Sequence, residues 1–418
     1  MPKLFVINDL EAHSCRDVRS VLASNRSAKV VEKPHKKVRS KRLDEFESET
    51  IYFSIGLTNR PHYPHSMAPK FLFVTLVLAV SAHAQFALQD SHSTASLRGI
   101  DTAGPEIAWA SGSGGTVLRT IDGGTNWQRC ATPRDAEKLD FRGIQALDAQ
   151  TAVVMSSGKG ELSHIYKTTD ACQTWKLVFS NPDPEGFFDA IRRVTTHQIY
   201  VLGDPVRNTF AVFYSANTGD TWTIADDPGL QADKGDGAFA ASNSSLIAVG
   251  ATLFFGTGGT NLPHVYRTSE TCAKDATTAC PVQWVKTDVP LASHNAAAGV
   301  FSLAGRLDAN GSGRVSTVLV AVGGTYDKPT ETTGTAASSH DGGKTWTPAA
   351  TPPAGYRSSV VFDRETRVWI AAGTTGADLS KDDGATWTTL PTGDQTGWNA
   401  IAMPYLVGSK GKIGKLKP

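Results

Sequence analysis

The chain has 418 residues, with 39 Gly, 41 Lys and Arg against 40 Asp and Glu, and a formal net charge of +1. A balance this even excludes the global basic excess that would point to nucleic acid or an anionic membrane. The length is enough for two or three average domains, or for one large repeat domain.

Residues 1–66 are a different material from the rest. They hold 12 Lys and Arg against 8 Asp and Glu, with a basic run at Lys33-Pro-His-Lys36-Lys37-Val-Arg39-Ser-Lys41-Arg42. No apolar period persists there, so the expectation is a disordered extension. Met67-Ala-Pro-Lys70 then leads into the apolar run Phe71–Val80 and the small-residue end Ser81-Ala-His-Ala84. One positive charge, a short apolar core and a small-x-small end are the pattern of a secretory signal peptide over 67–84. The core is too short for a transmembrane helix. Signal peptides sit at the start of chains, so residues 1–66 are expected to be an over-extended translation start. The mature chain, 85–418, is then periplasmic or secreted and slightly acidic, with no transmembrane span.

From Leu97 onward the chain repeats itself. Thr120-Ile-Asp122-Gly-Gly124-Thr-Asn-Trp127 recurs as Ser339-His-Asp341-Gly-Gly343-Lys-Thr-Trp346 and Ser380-Lys-Asp382-Asp-Gly384-Ala-Thr-Trp387. Looser copies end at Trp175 and Trp222, and a sixth, from Thr268, lacks the Gly and reaches Trp284 after an insertion. The tryptophans are 48, 47, 62, 62 and 41 residues apart. Each copy reads as a turn: Asp or Asn accepts backbone N–H groups, Gly tolerates positive φ, and Ser or Thr adds a local bond. Two short β-rich runs precede the strand that enters each turn, and one follows it. In the second unit these are Phe141–Leu147, Thr151–Met155, His164–Lys167 and Trp175–Phe179. Four strands at a period near 45 residues make a propeller blade.

The first unit starts at Leu97, the third near Phe187, the fourth near Asp236 with Leu246–Val249, the fifth near His294 and the sixth at Tyr356-Arg357. A seventh, Trp398–Ala402, Tyr405–Val407 and Lys412–Leu416, has three strands only. Gln85–Gln89 supplies the fourth, which closes the ring and leaves no free sheet edge. The expectation is an all-β, seven-bladed propeller shut by its N- and C-terminal strands.

Cys130, Cys172, Cys272 and Cys280 remain after the leader, an even number suited to disulfides in an exported chain. Cys272 and Cys280 share one insertion and are expected to bridge. Cys130 and Cys172 bridge if adjacent blades bring them together. No Cys-x-x-Cys, His-x-His or His-Glu-x-x-His occurs, so neither a metal nor a cofactor is expected. Asp308-Ala-Asn310-Gly-Ser312-Gly opens like a calcium loop, but the far acid is missing, so it reads as a turn between strands.

Chemistry on a propeller concentrates at one mouth of the channel. The starts of the inner strands offer Arg98, Arg142, Asp189, Asp236, His294 or Asn295, Arg357 and Trp398. Loops after the second strands offer Asp204, Tyr326 and Lys328, with Gly256–Gly259 between. This mixture suits a polar ligand or a charged protein surface. Asp189 and Asp236 are the candidate pair for acid/base glycoside hydrolysis.

The turns are similar to the Asp-box (BNR) repeats of sialidases, and Trp109–Trp127 resembles the photosystem II stability/assembly factor family. That resemblance implies an exported seven-bladed, non-catalytic propeller that assembles a membrane-protein subunit. It further implies a basic patch with Arg98, Arg142 and Arg357, although Asp189 and Asp236 stand where the pattern continues. No sialidase arginine segment or Tyr/Glu nucleophile pair can be placed. The sequence thus points to a protein binder of the cell envelope acting as a monomer, with a carbohydrate-active enzyme as the alternative.

Overall fold

The computed structural model describes residues 86–270, 282–309, 315–390 and 396–416. The basic extension, the leader, Cys272 and Cys280 therefore lie outside the described residues. Described residues 86–416 form seven antiparallel sheets, with no α-helix among them.

Blades 1 to 3 have their inner strands at Leu97–Thr102, Phe141–Ala146 and Phe188–Arg193. Those of blades 4 to 7 are Leu246–Val249, Asn295–Ala309, Ser359–Asp363 and Trp398–Ala402. Each packs against the next, and the seventh against the first, so the ring is closed. The seventh sheet takes its outer strand from the far end of the chain: Phe86 pairs with Leu416 and Gln89 with Ile413.

A belt of side chains stitches the inner strands together. Asp101 accepts the Ala146 N–H, Gln145 the Arg193 N–H, and Asn243 the Ile191 N–H. Ser302 accepts the Val360 N–H, Ser359 the Ile401 N–H, and Asn399 donates to the Leu97 carbonyl. Inner strands of different blades do not pair with one another, so these buried polar groups need such partners.

The recurrent turn is built as its residue types require. In blade 1 the Thr120 hydroxyl donates to Asp122 Oδ1 (2.9 Å) and accepts from Gly124 N (2.9 Å), while Asp122 Oδ1 accepts from Asn126 N (2.9 Å). The same bonds recur around Asp170, Asn217, Asp341 and Asp382. The tryptophan that follows wedges into the preceding blade. Trp127 meets Tyr405 edge-on, Trp222 stacks on Phe179, and Trp175 Nε1 donates to the Ala131 carbonyl. Trp284, Trp346 and Trp387 pack beside Phe210, Phe254 and Val320 in the same way.

These turns carry a pH dependence. Asp170 is held at about 2, first by the Thr174 hydroxyl and then by the Thr174 N–H. Asp122 is lowered first by the Asn126 N–H, and Asp341 and Asp382 are lowered although burial opposes it. A carboxylate lowered on folding contributes stability that is full above its unfolded pKa of about 4 and is lost as pH falls through its folded value. Asn217 shows that an amide can hold the turn. Replacing all four aspartates by Asn is therefore expected to leave the fold intact and to flatten the fall in urea midpoint on acidification through this range.

Two features depart from the sequence expectation. The inner strand of blade 4, expected to start near Asp236, is Leu246–Val249. Asp236–Gly237 instead pairs with Gly258–Gly259, which extends the sheet of blade 5. Glycine makes this possible: a Cβ on Gly258 would lie 2.2 Å from the Ala298 carbonyl oxygen, and Gly299 has φ 149°. Blade 5 is also lengthened by a hairpin, with Ala309 opposite Val315, which explains one long tryptophan spacing. The calcium-like stretch, read as a turn from the sequence, runs from Asp308 into residues 310–314, which lie outside the described residues. Cys130 and Cys172 are bridged, tying blade 1 to blade 2.

Candidate functional site

The mouth is shaped by β-bulges near the start of inner strands. The register shifts between Leu97 and Gly99, Phe141 and Gly143, Phe188 and Ala190, Val300 and Ser302, and Trp398 and Ala400. A bulge re-aims the extra residue. Those residues are Arg98, Arg142, Asp189, Phe301 and Asn399.

The first three converge electrostatically. Arg142 Nε donates to Asp140 Oδ2 at 2.8 Å, and Nη1 to the Ala240 carbonyl at 3.3 Å. The Arg98 guanidinium is lowered, first by burial and then by the like charge of Arg142, and its Nε has no hydrogen-bond partner. Asp189 is fully buried, and burial, then Asp204, drives its carboxyl well above the usual range, with Arg142 opposing. Asp189 Oδ2 has no partner. Asp204 is raised by burial, although its Oδ1 accepts the Ala238 N–H at 2.9 Å. Across the mouth Phe301 stacks on Phe239 at 3.7 Å and meets Tyr326 and Tyr356 edge-on. Burial pushes the Tyr356 hydroxyl up, against the pull of Arg98.

Two open clefts lie among the described residues. One of about 840 Å³ is lined by Leu291, His294, Asn295, Lys328, Glu331 and Gly334, among others. Tyr326, 54 % exposed, lies in sequence between Thr325 and Lys328 of that lining. The other, of about 380 Å³, is lined by Glu185, Asp204, Asp236, Phe239 and Gly258, among others.

The expected site residues therefore divide. Arg98, Arg142, Asp189 and Asp204 come together, as do His294, Asn295 and Lys328. Asp236 joins Asp204 in the small cleft, whereas Asp189 lies buried behind it. Arg357 and Trp398 do not face the mouth. They occupy the register of Leu97, Phe141 and Phe188, one residue before the bulge, and a slip of one residue turns a side chain to the other face. Arg357 is 1 % exposed, and its guanidinium is committed to Asp378, Thr375 and the Tyr356 carbonyl. Trp398 is buried against Phe86. Of the three arginines expected in a basic patch, Arg98 and Arg142 lie near one another and Arg357 does not join them. Phe301 and Phe239 had no signal in composition, but the small residue after each bulge (Gly99, Gly143, Ala190, Ser302, Ala400) marks the register that places Phe301.

No family model matches the chain, and no curated protein matches it. Among solved structures, YCF48 from Cyanidioschyzon merolae is similar in fold at 15% identity, covering 80% of this chain and 99% of that one, with a TM-score of 0.51. A structure of YCF48 bound to D1 peptide matches at 16% identity over 80% of this chain and 97% of that one, TM-score 0.48. A GH74 xyloglucanase from Xanthomonas campestris matches at 15% identity over 76% of this chain and 55% of that one, TM-score 0.33.

Proposed function

We propose that the protein is an exported, non-catalytic propeller that binds a protein partner across this mouth, as an assembly or stability factor for a complex of the cell envelope. The observation that carries the reading is the open cleft of about 840 Å³ with Lys328, Glu331 and His294, and exposed Tyr326 between its lining residues Thr325 and Lys328 in sequence. An amphipathic ring on an open, charge-rimmed surface is what anchors a polypeptide, whereas small substrates favour enclosed pockets. The resemblance of Trp109–Trp127 to the photosystem assembly factors agrees with it. Among the described residues no helix is long and apolar enough to cross a membrane.

The test is quantitative pull-down from envelope fractions. A defined partner is expected with the wild type and is expected to be lost, by about 2 kcal/mol or more of affinity, in Tyr326→Ala with Lys328→Glu. Capture that survives the double change would sink the reading. Export is tested separately: N-terminal sequencing of the native protein should find Gln85 or a close neighbour.

One observation favours the enzymatic alternative. Glu185, Asp204 and Asp236 line the same small cleft, and Asp204 is raised by burial as a general acid would be. Asp204 then replaces Asp189 in the candidate pair with Asp236. Turnover on a glycan panel that disappears in Asp204→Asn would establish this reading; absence of turnover on every glycan would remove it.

A further inference from the structure

His264 opens the third strand of blade 4, directly opposite Asp288 in the register. Its backbone is pinned by Thr257, whose hydroxyl accepts the His264 N–H at 3.0 Å, and its ring meets Tyr266 edge-on. Only 6 % of its side chain is exposed. Nε2 lies 3.2 Å from Asp288 Oδ1 and 3.7 Å from Asp233 Oδ2. Nδ1, by contrast, is buried with no hydrogen-bond partner, and it faces Asp236 Oδ2 at 3.5 Å.

That arrangement is incomplete by itself. With Nε2–H directed at Asp288, Nδ1 presents a lone pair to a carboxylate whose side chain is 1 % exposed. Asp236 Oδ1 accepts from Asn261 Nδ2 at 3.1 Å, and Oδ2 itself accepts the Asp233 N–H at 3.2 Å. Two facing lone pairs in a buried setting are unfavourable unless a positive charge lies between them. One oxygen each of Asp233 and Asp236 and a ring nitrogen of His264 lie within 4.8 Å of one another.

We propose that Asp233, Asp236 and His264 form a binding site for a divalent transition-metal ion of the zinc class. Metal–ligand bonds of about 2.0–2.2 Å set neighbouring donor atoms of a tetrahedron about 3.3–3.6 Å apart, which the Nδ1 to Asp236 separation meets. One imidazole with carboxylates suits zinc better than calcium or magnesium, which prefer all-oxygen shells. Lys286 Nζ, 2.7 Å from Asp233 Oδ2, is the built-in competitor for that ligand. The ion would fasten the loop carrying Asp233 and Asp236 to the outer half of blade 4.

Tag-free protein is titrated with ZnCl2 against a chromophoric zinc chelator. One equivalent is expected to bind the wild type, about tenfold or more weaker in Asp236→Asn and His264→Gln, and tighter in Lys286→Met. A zinc-dependent rise in melting temperature should follow the same order. Should His264→Gln fail to fold, the imidazole 15N spectrum of the wild type decides: zinc shifts Nδ1. No binding, binding indifferent to His264, or a ring already protonated on both nitrogens at neutral pH would overturn the proposal.

Discussion

Arg357→Ala is expected to lower stability by about 3–5 kcal/mol, the cost of leaving a buried charge without its partner. Arg357 and Asp378 are each 1 % exposed, and two guanidinium nitrogens reach Asp378 Oδ2 at 2.5 Å. The Thr375 hydroxyl and the Tyr356 carbonyl accept the remaining donor atom, and Thr389 donates to Asp378 Oδ1. Truncation removes every one of these contacts from the arginine side while Asp378 stays inside blade 6. Urea unfolding at neutral pH measures the loss. A second variant, Arg357→Met with Asp378→Leu, should recover most of it, because apolar groups of similar volume replace a buried pair at little cost. A loss below about 1 kcal/mol in Arg357→Ala would mean that the pair is solvated. The same experiment separates folding from recognition, since Arg357 has no atom to offer a ligand at the mouth.

Replacing both Cys130 and Cys172 by Ala should cost about 4 kcal/mol, from the loop-closure entropy of a bridge whose ends are 42 residues apart. The bridge joins the turn of blade 2 to the chain leaving blade 1. Alongside it the Ala131 N–H donates to the Cys172 carbonyl and Trp175 Nε1 to the Ala131 carbonyl. These two bonds survive the substitution, so the native fold should persist with a lower urea midpoint in the double variant. An equal midpoint with and without reductant in the wild type would show that the bridge does not form in solution.

Local information made the fold readable. The turn's Ser or Thr, Asp and Gly are four residues apart or fewer, and the tryptophan that follows always enters the seam with the preceding blade, so spacing alone revealed the repeat. Three strands at the end and one at the beginning were enough to anticipate how the ring shuts. The mouth was less readable because register there depends on a single residue. Arg98 and Arg142 precede Gly, and the structure places them at bulges. In blade 6 it is Ser358 that takes the place of Arg98, one residue later than expected, and Arg357 turns inward. The paired glycines at 258–259 lent a strand to blade 5 through a close backbone approach that no propensity encodes. Asp233 and Asp236 share one loop and His264 comes from a separate strand, and no short motif joins them.

The seam between Phe86–Gln89 and Ile413–Leu416 also orders events during synthesis. The first of these strands leaves the ribosome long before the second and has no partner until Ile413–Leu416 has been made. Six sheets can assemble from residues close in sequence, but the seventh waits for Ile413–Leu416. Until then two raw edges persist, each able to recruit another polypeptide. Loss of Ile413–Leu416 would thus leave both Phe86–Gln89 and Tyr405–Gly408 without the strand that joins them, an open edge in the ring.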